Sequence, residues 1–217
     1  MWVFSHETQR MEHREATFVP GIFKIFDEIL VNAADNKMRD DSMKYIRVTI
    51  DRETGEISVE NDGKGIPIEV HEKEGVYVPQ MVFGELLTGD NYNDGEERVV
   101  GGRNGYGAKL ANIFSTSFCI ETVDSKSGKK YSQTWSDNMS KVSKPVIHSS
   151  GKRKDFTRVT FRPDFAKFGL TGFTPDICSL FYKRVYDIAG TTTADVRVHL
   201  NGVRLDIKNF KQYCGMY

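Results

Sequence analysis

The stretch Lys24-Ile25-Phe26-Asp27-Glu28-Ile29-Leu30-Val31-Asn32-Ala33-Ala34-Asp35-Asn36-Lys37-Met38-Arg39 carries Glu28, Asn32 and Asn36 at four-residue steps inside a strongly apolar repeat. At about 100° of rotation per residue, each such step drifts only about 40°, so the acid and the two amides share one helix face. Ile22, Ile25, Phe26, Ile29 and Ala33 form the neighbouring apolar stripe. A polar column along the flank of a buried stripe holds its carboxylate where water is partly excluded and its amides where an oxygen can act as a hard ligand. A solvated helix face explains the column less well, because Asn is a mediocre interior helix former and Ile29, Leu30 and Ala33 surround it. With Pro20 at the first turn and the apolar period running to about Met38, the stretch reads as a helix forming the wall of a site.

Two alternating segments follow, Tyr45 to Asp51 and Glu56 to Glu60, joined by a turn at Arg52 to Gly55, which predicts a β-hairpin. The second strand runs into Asn61-Asp62-Gly63-Lys64-Gly65. Pro79 to Thr88 reads as a short helix, Gly89 to Gly102 as a long polar loop of the kind used for function or mobility, and Tyr106 to Phe114 as a helix again. Beyond it the pattern is mostly β: Phe118 to Val123 and Lys130 to Trp135 flank a turn, and Thr157 to Phe161 and Val196 to Leu200 read as strands. One helix, about Asp176 to Ile188, interrupts them, and Asn201-Gly202 is a hairpin turn. Trp135, in an alternating strand, is expected in the core. No repeat, low-complexity tract or linker is visible, so one α+β domain, a two-layer sandwich of helices on a mixed, mostly antiparallel sheet, is expected over residues 1–217.

At 217 residues, 39% hydrophobic and a mean hydropathy of -0.46, the chain is long enough to bury a sizeable core and has the composition of a soluble protein. No apolar run approaches the roughly 18 residues of a membrane span, and no signal peptide opens the sequence. Cys119, Cys178 and Cys214 lack metal-ligand spacing and point to free thiols in a reducing compartment. The net charge of zero hides a split: residues 1–125 carry 13 Lys+Arg against 23 Asp+Glu, and residues 126–217 carry 17 against 7. Such asymmetry means either a basic surface for nucleic acid or two halves that attract each other within the fold. The basic triplet Lys152-Arg153-Lys154 reads as a solvated loop, and the five histidines are scattered without metal spacing.

Two glycine clusters supply the chemistry. In Gly101-Gly102-Arg103-Asn104-Gly105-Tyr106-Gly107-Ala108-Lys109-Leu110 the glycines permit close backbone approach, the following helix N-terminus favours an anion, and Lys109 adds a point charge. It is not a P-loop, since Ala108 separates Gly107 from Lys109, and not a dinucleotide fingerprint, since no strand feeds into it. A flexible glycine loop is the plainer alternative. Asn61 to Gly65, in which Asn61 offers both an acceptor and a donor, would let a flat ligand lie against the backbone, an ordinary turn being its plainer alternative.

Together, a helix with Glu-x-x-x-Asn, a strand ending in Asn-Asp-Gly-Lys-Gly, and Gly-x-x-Gly-x-Gly opening a helix resemble the GHKL ATPases, whose nucleotide (Bergerat) fold is a helical layer on a mixed sheet. That superfamily includes type II topoisomerases, the ninety-kilodalton heat-shock chaperones, MutL-type mismatch-repair proteins and sensor histidine kinases. Phe26 to Asn36 and Gly101 to Leu110, with Phe18-Val19-Pro20-Gly21 and Arg184-Val185-Tyr186-Asp187-Ile188, are most similar to the ATPase domains of eukaryotic-type DNA topoisomerases II. The likeness covers nearly the whole chain.

The resemblance implies ATP and Mg²⁺ as ligands. It makes Glu28 the general base, Asn32 the metal ligand through its amide oxygen, Asn36 a support for the nucleotide, and Asn61 and Gly65 contacts of the adenine side. The segment Gly102, Arg103, Asn104, Gly105, Tyr106, Gly107, Ala108 and Lys109 becomes the phosphate cradle, beneath a lid that contributes Asn91. Within that lid Gly89 and Asp90 depart from the family's serine pair, and a carboxylate at Asp90 is a poor neighbour for a triphosphate. The resemblance further implies an ATP-hydrolysing domain that drives dimer closure for duplex DNA passage in a nuclear, homodimeric enzyme. An N-terminal arm and a transducer domain, which supplies a lysine to the γ-phosphate, lie outside these residues, so slow turnover and poor dimerisation of this polypeptide are expected. The competing readings are a nucleotide clamp or switch with little or no turnover and a DNA-binding β-rich domain using the basic half.

Overall fold

The computed structural model describes residues 1–85, 106–151 and 154–217. Two short strands open the chain, β1 (Trp2–Ser5) and β2 (Arg10–His13), paired antiparallel to each other. The long helix α1 (Pro20–Arg39) follows, with Pro20 in its first turn and Val19 in the extended conformation that a following proline requires. Next come β3 (Tyr45–Asp51), β4 (Glu56–Asn61), α2 (Val78–Gly84) and α3 (Gly107–Ile113). The second half supplies β5 (Ser115–Asp124), β6 (Lys129–Ser136), β7 (Lys141–Val142), β8 (Val146–Ser149), β9 (Phe156–Pro163), α4 (Pro175–Thr191), β10 (Arg197–Leu200), β11 (Val203–Arg204) and α5 (Phe210–Cys214).

The main sheet has the order β11-β10-β3-β4-β9-β5-β6-β7, with β8 beside β6. Its pairs are antiparallel except β10 with β3, where Arg197 to Leu200 run parallel to Tyr45 to Val48. The mixed, mostly antiparallel sheet read from the sequence is therefore present. Alternation along the strands sorts the side chains. Ile46, Val48, Ile57, Val59, Phe118, Ile120, Val159 and Phe161 are buried and join one continuous core with Ile22, Phe26, Ile29 and Leu30 of α1 and Ile177, Phe181 and Val185 of α4. Phe26 and Phe181, with ring centroids 4.3 Å apart, join the two helices inside that core. Trp135 is buried as expected, and all three cysteines are free. Asn201 (φ 49) and Gly202 (φ 82) make the turn between β10 and β11.

The opposite face of the sheet is polar, and the acidic and basic halves of the chain meet across it. Glu60 on β4 receives Arg47 at 3.0 Å and Arg158 Nε at 2.7 Å. Arg158 also reaches Glu121 on β5 at 2.9 Å, and Lys130 on β6 reaches Glu121 at 2.6 Å. A further link between halves, Arg184 to Asp27 at 2.6 Å, ties α4 to α1. The charge split thus finds partners within the fold. Among the described residues no helix is long and apolar enough to cross a membrane.

Several elements differ from the sequence expectation, among them the short strands β7 and β8, which the sequence reading does not name. The helix expected over Pro79 to Thr88 ends at Gly84, whose α-carbon is pressed against the Trp135 indole, and Glu85 is already extended. The hairpin β1–β2 and the helix α5 were not expected at all. The β1–β2 turn holds Gln9 at φ 55 in place of the usual Gly or Asn.

Candidate active site

The polar column of α1 lies where the sequence places it, at the edge of the buried face. Glu28 is partly buried, with 24% of its side chain exposed, and is paired with Lys24 one turn earlier at 2.6 Å. The pairing raises the Lys24 pKa, chiefly through its hydrogen bond to Glu28. Asn32 is exposed and presents its amide at the surface of the column. Asn36 is half-buried and reaches off the helix to the segment after β4.

That contact fixes the orientation of two amides. The Gly63 N–H can only donate, so the Asn61 atom 3.1 Å from it is Oδ1; the Lys64 carbonyl can only accept, so the Asn36 atom 3.2 Å from it is Nδ2. Asn36 Nδ2 then donates to Asn61 Oδ1 at 2.7 Å. With Oδ1 receiving two donors, the Asn61 amide retains its Nδ2, which makes no hydrogen bond within the described residues, and the side chain is 5% exposed. A buried amide with an unused donor matches an acceptor on a flat ring.

Gly65 belongs to the same turn, and its lack of a side chain serves the sheet: a Cβ there would run into the Val123 carbonyl of β5. Close approach at this glycine is made by the chain's own backbone. Ile66 N–H donates to Thr122 Oγ1 at 3.1 Å, and Thr122 is 3.1 Å from Thr157, so two adjacent strands brace the segment behind Asn61. Asp62 turns the other way and accepts the N–H groups of Lys44 and Tyr45 at 2.8 and 2.7 Å. Thr122 and Asp62 escape sequence reading because their partners lie 56 and 18 residues away.

The second cluster meets the column from the other side. Gly107 opens α3 directly against Glu28, whose Oε2 occupies the space a Cβ would need. Tyr106, at the N-cap of α3, makes no capping hydrogen bond with its side chain among the described residues. Tyr106 is half-buried and Ala108 buried. Lys109 is 2% exposed; burial lowers its pKa, and the Glu85 carboxylate opposes that fall. Asn91, Gly102, Arg103, Asn104 and Gly105, with Gly89 and Asp90, lie outside the described residues. The structure therefore brings Glu28 to Gly107 and Asn36 to Asn61, and sets Asn32 between them on α1.

Comparisons with known proteins bear on this arrangement. Residues 19–167 match the family described as histidine kinase-, DNA gyrase B-, and HSP90-like ATPase. The chain is 59% identical over all its length to DNA topoisomerase 2 of Penicillium chrysogenum, and 55% identical to that of Saccharomyces cerevisiae. It spans only 14% and 15% of those two proteins. The crystal structure of the ATPase region of Saccharomyces cerevisiae topoisomerase II superposes with a TM-score of 0.97 at 54% identity, covering 100% of this chain and 57% of that one.

Proposed function

The chain belongs to the histidine kinase-, DNA gyrase B-, and HSP90-like ATPase family, and from that premise we propose that it is the ATP-hydrolysing domain of a type II DNA topoisomerase of the eukaryotic kind. The observation that carries the reading is the convergence of one helix face on both glycine-bearing segments, Glu28 on Gly107 and Asn36 on Asn61. Identity of 54 to 59% along the whole chain to topoisomerase 2 proteins supports the choice of branch. Residues 1–217 act as one domain, and in the parent enzyme its partners are duplex DNA and a second copy of the chain, in the nucleus.

The residues fit ATP and Mg²⁺. Asn61, with its spare Nδ2 and its anchored Oδ1, meets the adenine edge, and Asn36 holds that amide in register. To the phosphates we assign Gly102, Gly105, Gly107, Ala108 and Lys109, and to the rest of the nucleotide Arg103, Asn104, Tyr106 and Asn91. Asn32 holds the metal through its amide oxygen. Among the described residues no group of three or more His, Cys, Asp or Glu comes together, and a single neutral ligand is enough for an ion that keeps water and phosphate oxygens around it. When bound, Mg²⁺ neutralises charge on the triphosphate. Glu28 orients a water molecule and accepts its proton, a role that needs a carboxylate partly shielded from solvent and held in place, here by Lys24 and by contact with Gly107.

Glu28→Ala in a polypeptide spanning the whole ATPase region tests the assignment. Nucleotide binding is expected to survive while hydrolysis falls by about 100- to 10,000-fold, the usual worth of a general base. Hydrolysis at the unsubstituted rate would reject Glu28 as the base.

A further inference from the structure

Lys24 meets Glu28 at 2.6 Å, yet its own side chain is 64% exposed. An exposed ion pair one helical turn apart is too weak to fix a carboxylate by itself. The lysine has a second restraint in Asp27, whose Oδ2 lies 3.9 Å from Lys24 Nζ while its Oδ1 accepts Arg184 Nε of α4 at 2.6 Å. The Asp27 and Arg184 side chains are 15% and 28% exposed, so theirs is the sheltered, charge-assisted bond of the group.

The packing of two helices builds this arrangement. Phe26 of α1 and Phe181 of α4 meet in the core with ring centroids 4.3 Å apart, and Asp27 and Arg184 follow them by one and three residues. A second carboxylate, Asp187, lies 3.9 Å from the Arg184 guanidinium. That acid is already engaged: Lys183 reaches both of its oxygens at 3.0 Å, and the Tyr213 hydroxyl of α5 donates to Oδ1 at 2.6 Å. Arg184 is therefore left to Asp27, and the charges alternate in sign from Asp187 through Arg184, Asp27 and Lys24 to Glu28. Removing either middle charge disturbs Lys24. Without the Asp27 charge its ammonium loses the second anchor. Without the Arg184 charge, Asp27 has Lys24 as its remaining cation among the described residues and draws it away from Glu28.

We propose that Asp27 and Arg184 are positioning residues for the hydrolytic step: they fix the Lys24 ammonium, and through it the Glu28 carboxylate, in the place from which Glu28 takes a proton from water. The inference rests on the reading of Glu28 as the general base.

Steady-state hydrolysis by a polypeptide spanning the whole ATPase region, measured beside binding of the non-hydrolysable analogue AMP-PNP with Mg²⁺ by isothermal titration, tests it. Asp27→Asn keeps an oxygen to accept Arg184 and removes the charge that faces Lys24. It is expected to lower kcat about tenfold, within the cost of a small misplacement of a catalytic group, and to leave the Kd of AMP-PNP unchanged. Arg184→Gln is expected to act likewise and carries the test if the Asp27 variant does not fold; Arg184→Lys, which restores the charge, recovers part of the rate. In a Lys24→Met background, Asp27→Asn lowers kcat no further. An unsubstituted kcat in both Asp27→Asn and Arg184→Gln overturns the proposal. A loss of kcat that comes with an equal loss of AMP-PNP binding makes the pair a tie between helices only, and overturns it too. So does a full tenfold fall on adding Asp27→Asn to Lys24→Met. These outcomes leave Glu28 standing as the base, whereas hydrolysis by Glu28→Ala at the unsubstituted rate removes the base and the positioning with it.

Discussion

Glu28 and Gly107 show how much a single absent side chain can decide. The helix face was legible in the sequence because a four-residue repeat has only one geometric reading, but its facing partner was not, since Gly107 stands 79 positions away. Contact between them makes a glycine obligatory, and Gly107→Ala has to move either the Glu28 carboxylate or the first turn of α3. This substitution is expected to cost about 1–3 kcal/mol of stability, the range for overpacking a fitted site, and to reduce hydrolysis more than nucleotide binding. Chemical denaturation and a steady-state ATPase assay would check the two effects. Lys109 shows the limit of reading a residue from its motif. The spacing marked it as a phosphate lysine, whereas its near-complete burial follows from the packing of α2 on α3 and from no local pattern.

At the scale of elements, α1 and the β3–β4 hairpin were predictable because each carries its signal within itself: an apolar period over twenty residues in the first, alternation and a short turn in the second. The parallel pairing of β10 with β3 was not, because its partners are joined by most of the chain. That pairing is anchored by Asp195, which accepts Lys44 at 2.8 Å and Lys37 of α1 at 2.9 Å. Hydrogen bonds from Lys44, Thr193 and Lys37 hold its carboxyl well below the ordinary value of 3.8. A depressed carboxylate stabilises the fold fully above its ordinary pKa and loses that contribution as pH falls toward the folded value. Asp195→Asn is therefore expected to lower the melting temperature at neutral pH, with the gap to the unsubstituted chain narrowing below about pH 4, where the carboxylate of the unfolded chain takes up a proton while the native one stays ionised. A series of thermal melts from neutral to acid pH would show it. Gly65→Ala belongs to the same scale. Its new Cβ meets the Val123 backbone, so the turn after β4 and the strand β5 have to part, and a loss of about 1–3 kcal/mol is expected in a urea titration.

Across the whole molecule, residues distant in sequence are joined at both faces. Met11 N–H donates to the Met216 carbonyl at 2.9 Å and Arg10 reaches the Gly215 carbonyl at 2.8 Å, so the opening hairpin holds the closing segment against α4. Neither contact has a sequence signal, because short strands and a five-residue helix gain their stability from packing. The charge split, by contrast, was visible in the sequence, and the fold gives it a use in the pairs Glu60–Arg158 and Glu121–Lys130 across one sheet face. All of this positions one helix face between two glycine-bearing segments. A crystal structure of the chain with a non-hydrolysable ATP analogue and Mg²⁺ tests that claim most directly. The account predicts the base against Asn61, the phosphates toward Gly107 and Glu28, and the metal at about 2.1 Å from the Asn32 amide oxygen. A nucleotide bound elsewhere, or a metal remote from Asn32, would contradict it.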